Sequence, residues 1–103
     1  MNILGMKLIS GEDVIGEVES ESEREVVLEN PVSIVYLQKP GNEPGLDFAP
    51  FPMYAATKKG MTVFINRRNI VYTYEPAENF SSSYKSIFGS GLIVPPQKSL
   101  ITG

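Results

Sequence analysis

The chain has 103 residues, 42% of them hydrophobic, a formal net charge of −3, and neither cysteine nor histidine. That is enough for one domain with a modest core and too apolar for a disordered chain. Without thiols or imidazoles, disulfide frameworks, thiolate metal sites, cysteine nucleophiles and histidine acid–base chemistry are excluded. No apolar run reaches the ~20 residues a membrane helix needs. Residues 1–7 lack the charged-then-apolar layout of a signal peptide, so the expectation is a cytoplasmic protein without a membrane partner. Eight of the twelve acids lie in residues 1–29 against only Lys7 and Arg24, a net of −6, whereas residues 30–103 carry +3. Two readings fit this asymmetry. Either an acidic face opposes a basic face that meets a polyanion, or the acids line solvent-facing strand positions.

In chain order, residues 6–10 are a short strand ended by a turn composition, Gly11-Glu12-Asp13. Val14, Gly16 and Val18 then alternate with Ile15, Glu17 and Glu19 as a second strand. A glycine inside a strand marks a bend or a close backbone approach, so Gly16 predicts a sharply curved sheet. Residues 21–25 are an acidic connection. Residues 25–38 are the longest β-rich run, interrupted by Pro31, which has no N–H for a ladder and marks a bend, bulge or edge. Residues 32–37 are apolar on both faces, the pattern of a central strand packed on two sides. Residues 39–45, with two prolines and two glycines, are a loop. Residues 46–57 are apolar and aromatic but carry Pro50 and Pro52, which reads as an edge strand broken by a bend. Whether they are continuous with 61–66 stays open at this point. Lys58-Lys59-Gly60 is a turn.

Residues 61–74 organise the rest. Met61, Val63 and Ile65 share one face, Ile70, Tyr72 and Tyr74 share another, and Asn66-Arg67-Arg68-Asn69 separates the two runs. This predicts a β-hairpin with both arginines at its tip. Pro76 is followed by Phe80, Tyr84, Ile87 and Phe88 at helical spacing and then by Gly89, which predicts a short helix over 77–88. Ser81, Ser82 and Ser83 weaken it, so it depends on packing. Leu92-Ile93-Val94 is apolar enough to dock, and residues 89–103 read as a C-terminal tail. The predicted fold class is all-β: a small, strongly bent antiparallel sheet or partly open barrel with one short C-terminal helix. It is one domain with its core in residues 5–75.

The chemistry is restricted. Serines and carboxylates are plentiful, but no base stands ready to activate a hydroxyl. There is no phosphate-cradling glycine loop at a helix start, since Gly89-Ser90-Gly91 follows the predicted helix. Glu12 and Asp13 are adjacent acids in a turn, a pattern that is ordinarily just solvated. The expectation is a binding or assembly protein and not an enzyme, with no metal and no cofactor.

The run Leu8-Ile9-Ser10-Gly11-Glu12-Asp13-Val14-Ile15-Gly16-Glu17-Val18 resembles the opening half of the first Sm motif, and Val26-Val27-Leu28-Glu29-Asn30 its closing half. Residues 63–72 are similar to the second motif: an apolar strand, a tight Arg-Gly-type turn, then a strand that starts with Ile70. With Asn30-Pro31 and the proline-rich segment before residue 61, the layout also resembles small Sm-like (Hfq-like) proteins of tailed marine phages, cyanophages included. For a phage protein the compartment would be the host cytoplasm. The resemblance implies a bent five-stranded sheet that closes into a homo-oligomeric ring of about five to seven subunits. In such a ring the fourth strand of one copy pairs with the fifth of the next. It also implies RNA bound near the pore by the loops between strands 2–3 and 4–5. By position, Asn66 stands where the family has arginine and Arg67 where it has glycine, with Arg68 beside it. The asparagine of the first motif falls near Glu25, with Ser22, Glu23 and Arg24 around it.

Read this way, the chain is a non-catalytic ring that binds RNA or single-stranded DNA through a basic hairpin tip. The candidate residues are Asn66, Arg67, Arg68 and Asn69, with Lys58 and Lys59. A structural or adaptor module that oligomerises or docks on a protein, with the basic tip incidental, is the alternative. A lone SH3-like barrel that takes peptides on segment 48–54 is a third. Tyr36, Phe48, Phe51 and Tyr54 offer stacking surfaces or core packing.

Overall fold

The run Glu25–Leu37 is long enough to pair with one strand on one side and two in succession on the other, and the sheet is assembled around it. In the computed structural model, which describes residues 1–38, 40–41, 45–55 and 60–89, this run is β3. The other strands are β1 (Ile3–Leu8), β2 (Asp13–Glu21), β4 (Gly45–Pro50), β5 (Thr62–Asn66) and β6 (Ile70–Tyr74), followed by α1 (Glu78–Phe88). All pairings are antiparallel. The order is β4-β3-β2-β1-β6, and β5 lies beyond β4 along the same edge of β3. Residues 45–50 and 62–66 are therefore two strands placed end to end on one edge, which answers the question left open above.

Bulges bend this sheet into a strong curl that stays open. The β2–β3 register shifts between Ile15 and Glu17 and again between Val18 and Ser20; the β1–β6 register shifts at Lys7 and Leu8. An extra residue on one strand bends that strand and raises its twist. Gly16 sits in the first bulge as expected, because a Cβ there would lie only 3.1 Å from the Leu28 side chain.

Adjacent β2 residues point to opposite sides, and each side carries its own core. On the concave side Met6, Leu8, Val14, Val26, Leu28 and Ile65 pack together, with Val63 and Ile70 against them. On the other side Ile15 and Val32 meet Tyr84 of α1, flanked by Ile3, Ile34, Phe48, Phe80 and Phe88. The helix thus supplies much of the second core, which extends beyond the expected residues 5–75. Its Phe80, Tyr84 and Phe88 face inward as the spacing predicts, whereas Ile87 is exposed.

Three expectations are corrected. Residues 61–74 are not a hairpin: β5 pairs with β3 and β6 with β1, so the two strands leave their connection toward opposite edges. The connection is a 3-10 turn, Arg67–Asn69. Ile70, Tyr72 and Tyr74 do not share a face either. The bulge skips Val71, so Ile70 enters the concave core while Tyr72 and Tyr74 lie opposite Lys7 and Gly5. The end of β3 is not packed on both sides, since Tyr36 and Leu37 are exposed. Leu92-Ile93-Val94 and the remaining tail from residue 90 lie outside the described residues.

Tyr84 ties the two layers together. The bulge opposite Gly16 leaves backbone groups of β2 and β3 without ladder partners, and the Tyr84 hydroxyl meets them. It accepts from the Glu17 N–H at 3.2 Å and shares its own hydrogen between the Glu29 and Asn30 carbonyls at 2.9 and 3.0 Å. Among the described residues no buried side-chain nitrogen or oxygen lacks a partner, and no helix is long and apolar enough to cross a membrane.

Burial pushes the Tyr84 hydroxyl above the ordinary tyrosine value of 10.0, and burial with the hydrogen bond to Asp13 does the same for Tyr74. Both folded-state values lie above the unfolded ones, so folding favours the protonated forms. Their contribution is intact below about pH 10 and is lost as pH rises beyond it. The urea midpoint is therefore expected to fall above pH 10, and Tyr74→Phe, measured by the same titration, should remove part of that fall.

Candidate nucleic-acid interface

The 3-10 turn forms because its sequence caps itself. Asn66 is extended, and its side-chain oxygen accepts from the Arg68 N–H at 2.9 Å, the role asparagine favours at a helix start. The Ile70 N–H closes the other end on the Arg67 carbonyl. Two backbone hydrogen bonds anchor the turn to the sheet: the Arg67 N–H to Arg24 O at 2.9 Å, and the Ile9 N–H to Asn69 O at 2.8 Å. The turn therefore bridges the β2–β3 turn on one side and the end of β1 on the other.

The β2–β3 turn is equally self-capped. The Ser22 hydroxyl accepts from the N–H groups of Arg24 and Glu25, each at 3.2 Å, and the Ser22 N–H bonds to Glu25 O at 2.9 Å. Arg67 then joins the two turns through its side chain. Nε donates to Ser22 O at 2.6 Å, and Nη2 meets Glu21 Oε1 at 3.3 Å. The loops that the Sm resemblance singles out, residues 22–25 and 66–69, thus stand side by side.

The predicted residues meet different fates here. Asn66 spends its side-chain oxygen on the cap and Arg67 is engaged in the junction. Arg68 and Asn69 are exposed, and Arg68 has no ion-pair partner among the described residues. Lys58 and Lys59 lie outside the described residues. Sequence reasoning did not single out Arg24, which is exposed beside Arg67 and likewise unpaired among the described residues. Its signal was the position of the turn, because a residue between β2 and β3 must meet whatever follows β5 when β5 pairs with the start of β3. The charges at the junction are mixed, with Arg24, Arg67 and Arg68 set among Glu21, Glu23 and Glu25. No group of three or more ligating side chains gathers among the described residues to hold a metal ion.

No protein-family model matches the chain, and no curated protein matches it.

The strands that flank the turn matter as much as the turn. Among the described strands, β5 and β6 each have one partner, so each offers an unpaired edge. Phe64 on β5 is 66% exposed, and Val71 and Tyr72 on β6 are 56% and 52% exposed. Phe64 lies opposite Val27, on the face away from the concave core.

Proposed function

We propose that the chain is a non-catalytic, self-assembling β module of Sm-like type. Its copies join edge to edge into a ring, and the ring binds RNA or single-stranded DNA at the junction of the two turns. The observation that carries this reading is the placement of β5 and β6: two five-residue strands leave one 3-10 turn toward opposite edges of one curled sheet. Unpaired edges are templates for strand addition. A β5 edge that meets the β6 edge of another copy is a head-to-tail contact, which closes into a ring when the rotation allows. Phe64, Val71 and Tyr72 supply apolar surface for such a contact to cover.

Each copy then contributes one Arg24 and one Arg68 at a common radius. Repetition by symmetry concentrates a field that a single pair does not have, despite the negative total charge. Attraction of this kind is electrostatic, with log K falling by about 0.7 per phosphate neutralised on single strands.

The test couples size-exclusion chromatography with light scattering to titrations of fluorescent poly-U and poly-A. A multimer of about five to seven copies is expected. Arg24→Glu with Arg68→Glu is expected to weaken polymer binding by about tenfold or more and to flatten its salt dependence. A monomer, or binding untouched by the double reversal, removes the proposal. The adaptor reading draws on Met53 and Tyr54, which are 67% and 96% exposed just beyond Phe51. A multimer that ignores both polymers would favour it.

A further inference from the structure

Arg67 holds its place with only part of its hydrogen-bonding capacity. Its backbone N–H and its Nε fasten it to the β2–β3 turn, at 2.9 Å to Arg24 O and 2.6 Å to Ser22 O. Nη2 reaches Glu21 at 3.3 Å, the longest of the three contacts, and Nη1 has no partner among the described residues. A guanidinium carries five N–H donors, so three of them are not taken up. Its two terminal nitrogens form an edge whose geometry matches a phosphate bidentately. Glu21 occupies half of that edge. Both side chains of the pair are more than a third exposed, the setting in which ion pairs are weakly held and easily exchanged.

We propose that Glu21 is an internal competitor for the phosphate-binding edge of Arg67. The inference rests on the nucleic-acid reading above and adds a selectivity device to it. A phosphodiester of single-stranded RNA or DNA takes both terminal nitrogens and displaces the Glu21 carboxylate, while the Nε bond to Ser22 keeps the guanidinium in position. A ligand that offers isolated carboxylates exchanges like for like and gains nothing. Glu21 therefore sets how strong an anion must be to engage the junction, and it makes weak polyanions poor ligands.

The test compares Glu21→Gln with Glu23→Gln. Both remove one charge from the same stretch, but Glu23 makes no ion pair or hydrogen bond through its side chain among the described residues. Binding of a fluorescent poly-U strand is followed by anisotropy across a salt series. Glu21→Gln is expected to tighten binding about three- to fivefold at low salt and to steepen the salt slope, with the gain fading as salt rises. Glu23→Gln is expected to produce less than half of that gain. Wild-type binding with equal effects of the two substitutions, or none, overturns the role of Glu21 and leaves the nucleic-acid reading standing. No binding by any of the three proteins overturns that reading and this inference with it.

Discussion

Tyr84→Phe is expected to lower the unfolding free energy by about 2–3 kcal/mol, although it removes a single oxygen. The hydroxyl serves the Glu17 N–H and the Glu29 and Asn30 carbonyls, where the β2–β3 ladder is broken. Phenylalanine keeps the ring contacts with Phe48 and Phe88 but takes this partner from the half-buried Glu17 N–H and from the Glu29 and Asn30 carbonyls. The desolvation of those groups is then uncompensated. Tyr84→Ala should cost about 3–5 kcal/mol, because the cavity adds to the polar loss. For a domain whose whole stability is of order 5–15 kcal/mol, that comes close to unfolding it. Urea denaturation followed by circular dichroism measures both. A phenylalanine variant within about 0.5 kcal/mol of wild type would show that the hydroxyl is dispensable.

The second large effect is expected at Asn30, which stands at the same break with φ of 52°. Its side-chain oxygen accepts from the Gly60 N–H at 2.7 Å, and its own N–H bonds to Met61 O, also at 2.7 Å. Asn30 thereby holds the chain where the edge of β3 passes from β5 to β4. Asn30→Ala loses the side-chain bond and the tolerance of the left-handed region that asparagine has over alanine, for about 2–3 kcal/mol together. Asn30→Gly loses the bond but tolerates the backbone, for about 1 kcal/mol. The difference between the two, read from urea midpoints, isolates the conformational part. Equal losses would mean that the backbone of residue 30 relaxes on substitution.

How far the fold was legible follows from what a pattern can encode. Alternation of side chains reports which face a residue occupies, and Val14, Val63 and Ile65 were placed correctly on that ground. It does not report which strand lies alongside. The mistake at 61–74 was of that kind, because a polar four-residue break looks the same whether the strands fold back on each other or diverge. The helix was legible from the spacing of Phe80, Tyr84 and Phe88. The work of the Tyr84 hydroxyl was not, since its partners lie 54 to 67 residues away in sequence. At the junction, charge was visible and hydrogen-bond commitment was not. Arg67 and Arg68 are equivalent as letters, yet one fastens two turns and the other faces solvent. The pairing that separates them is set by the β3–β5 register, in which Glu25 lies opposite Asn66.

The pairing of β1 with β6 joins residues 62 to 69 positions apart, and non-local contacts of this kind slow folding toward the millisecond-to-second range. On a ribosome the first strand is made several seconds before its last neighbour, at about 5–20 residues per second. Throughout that interval the nascent sheet carries a bare margin, and chaperone occupancy or translation speed at residues 70–74 becomes a determinant of yield.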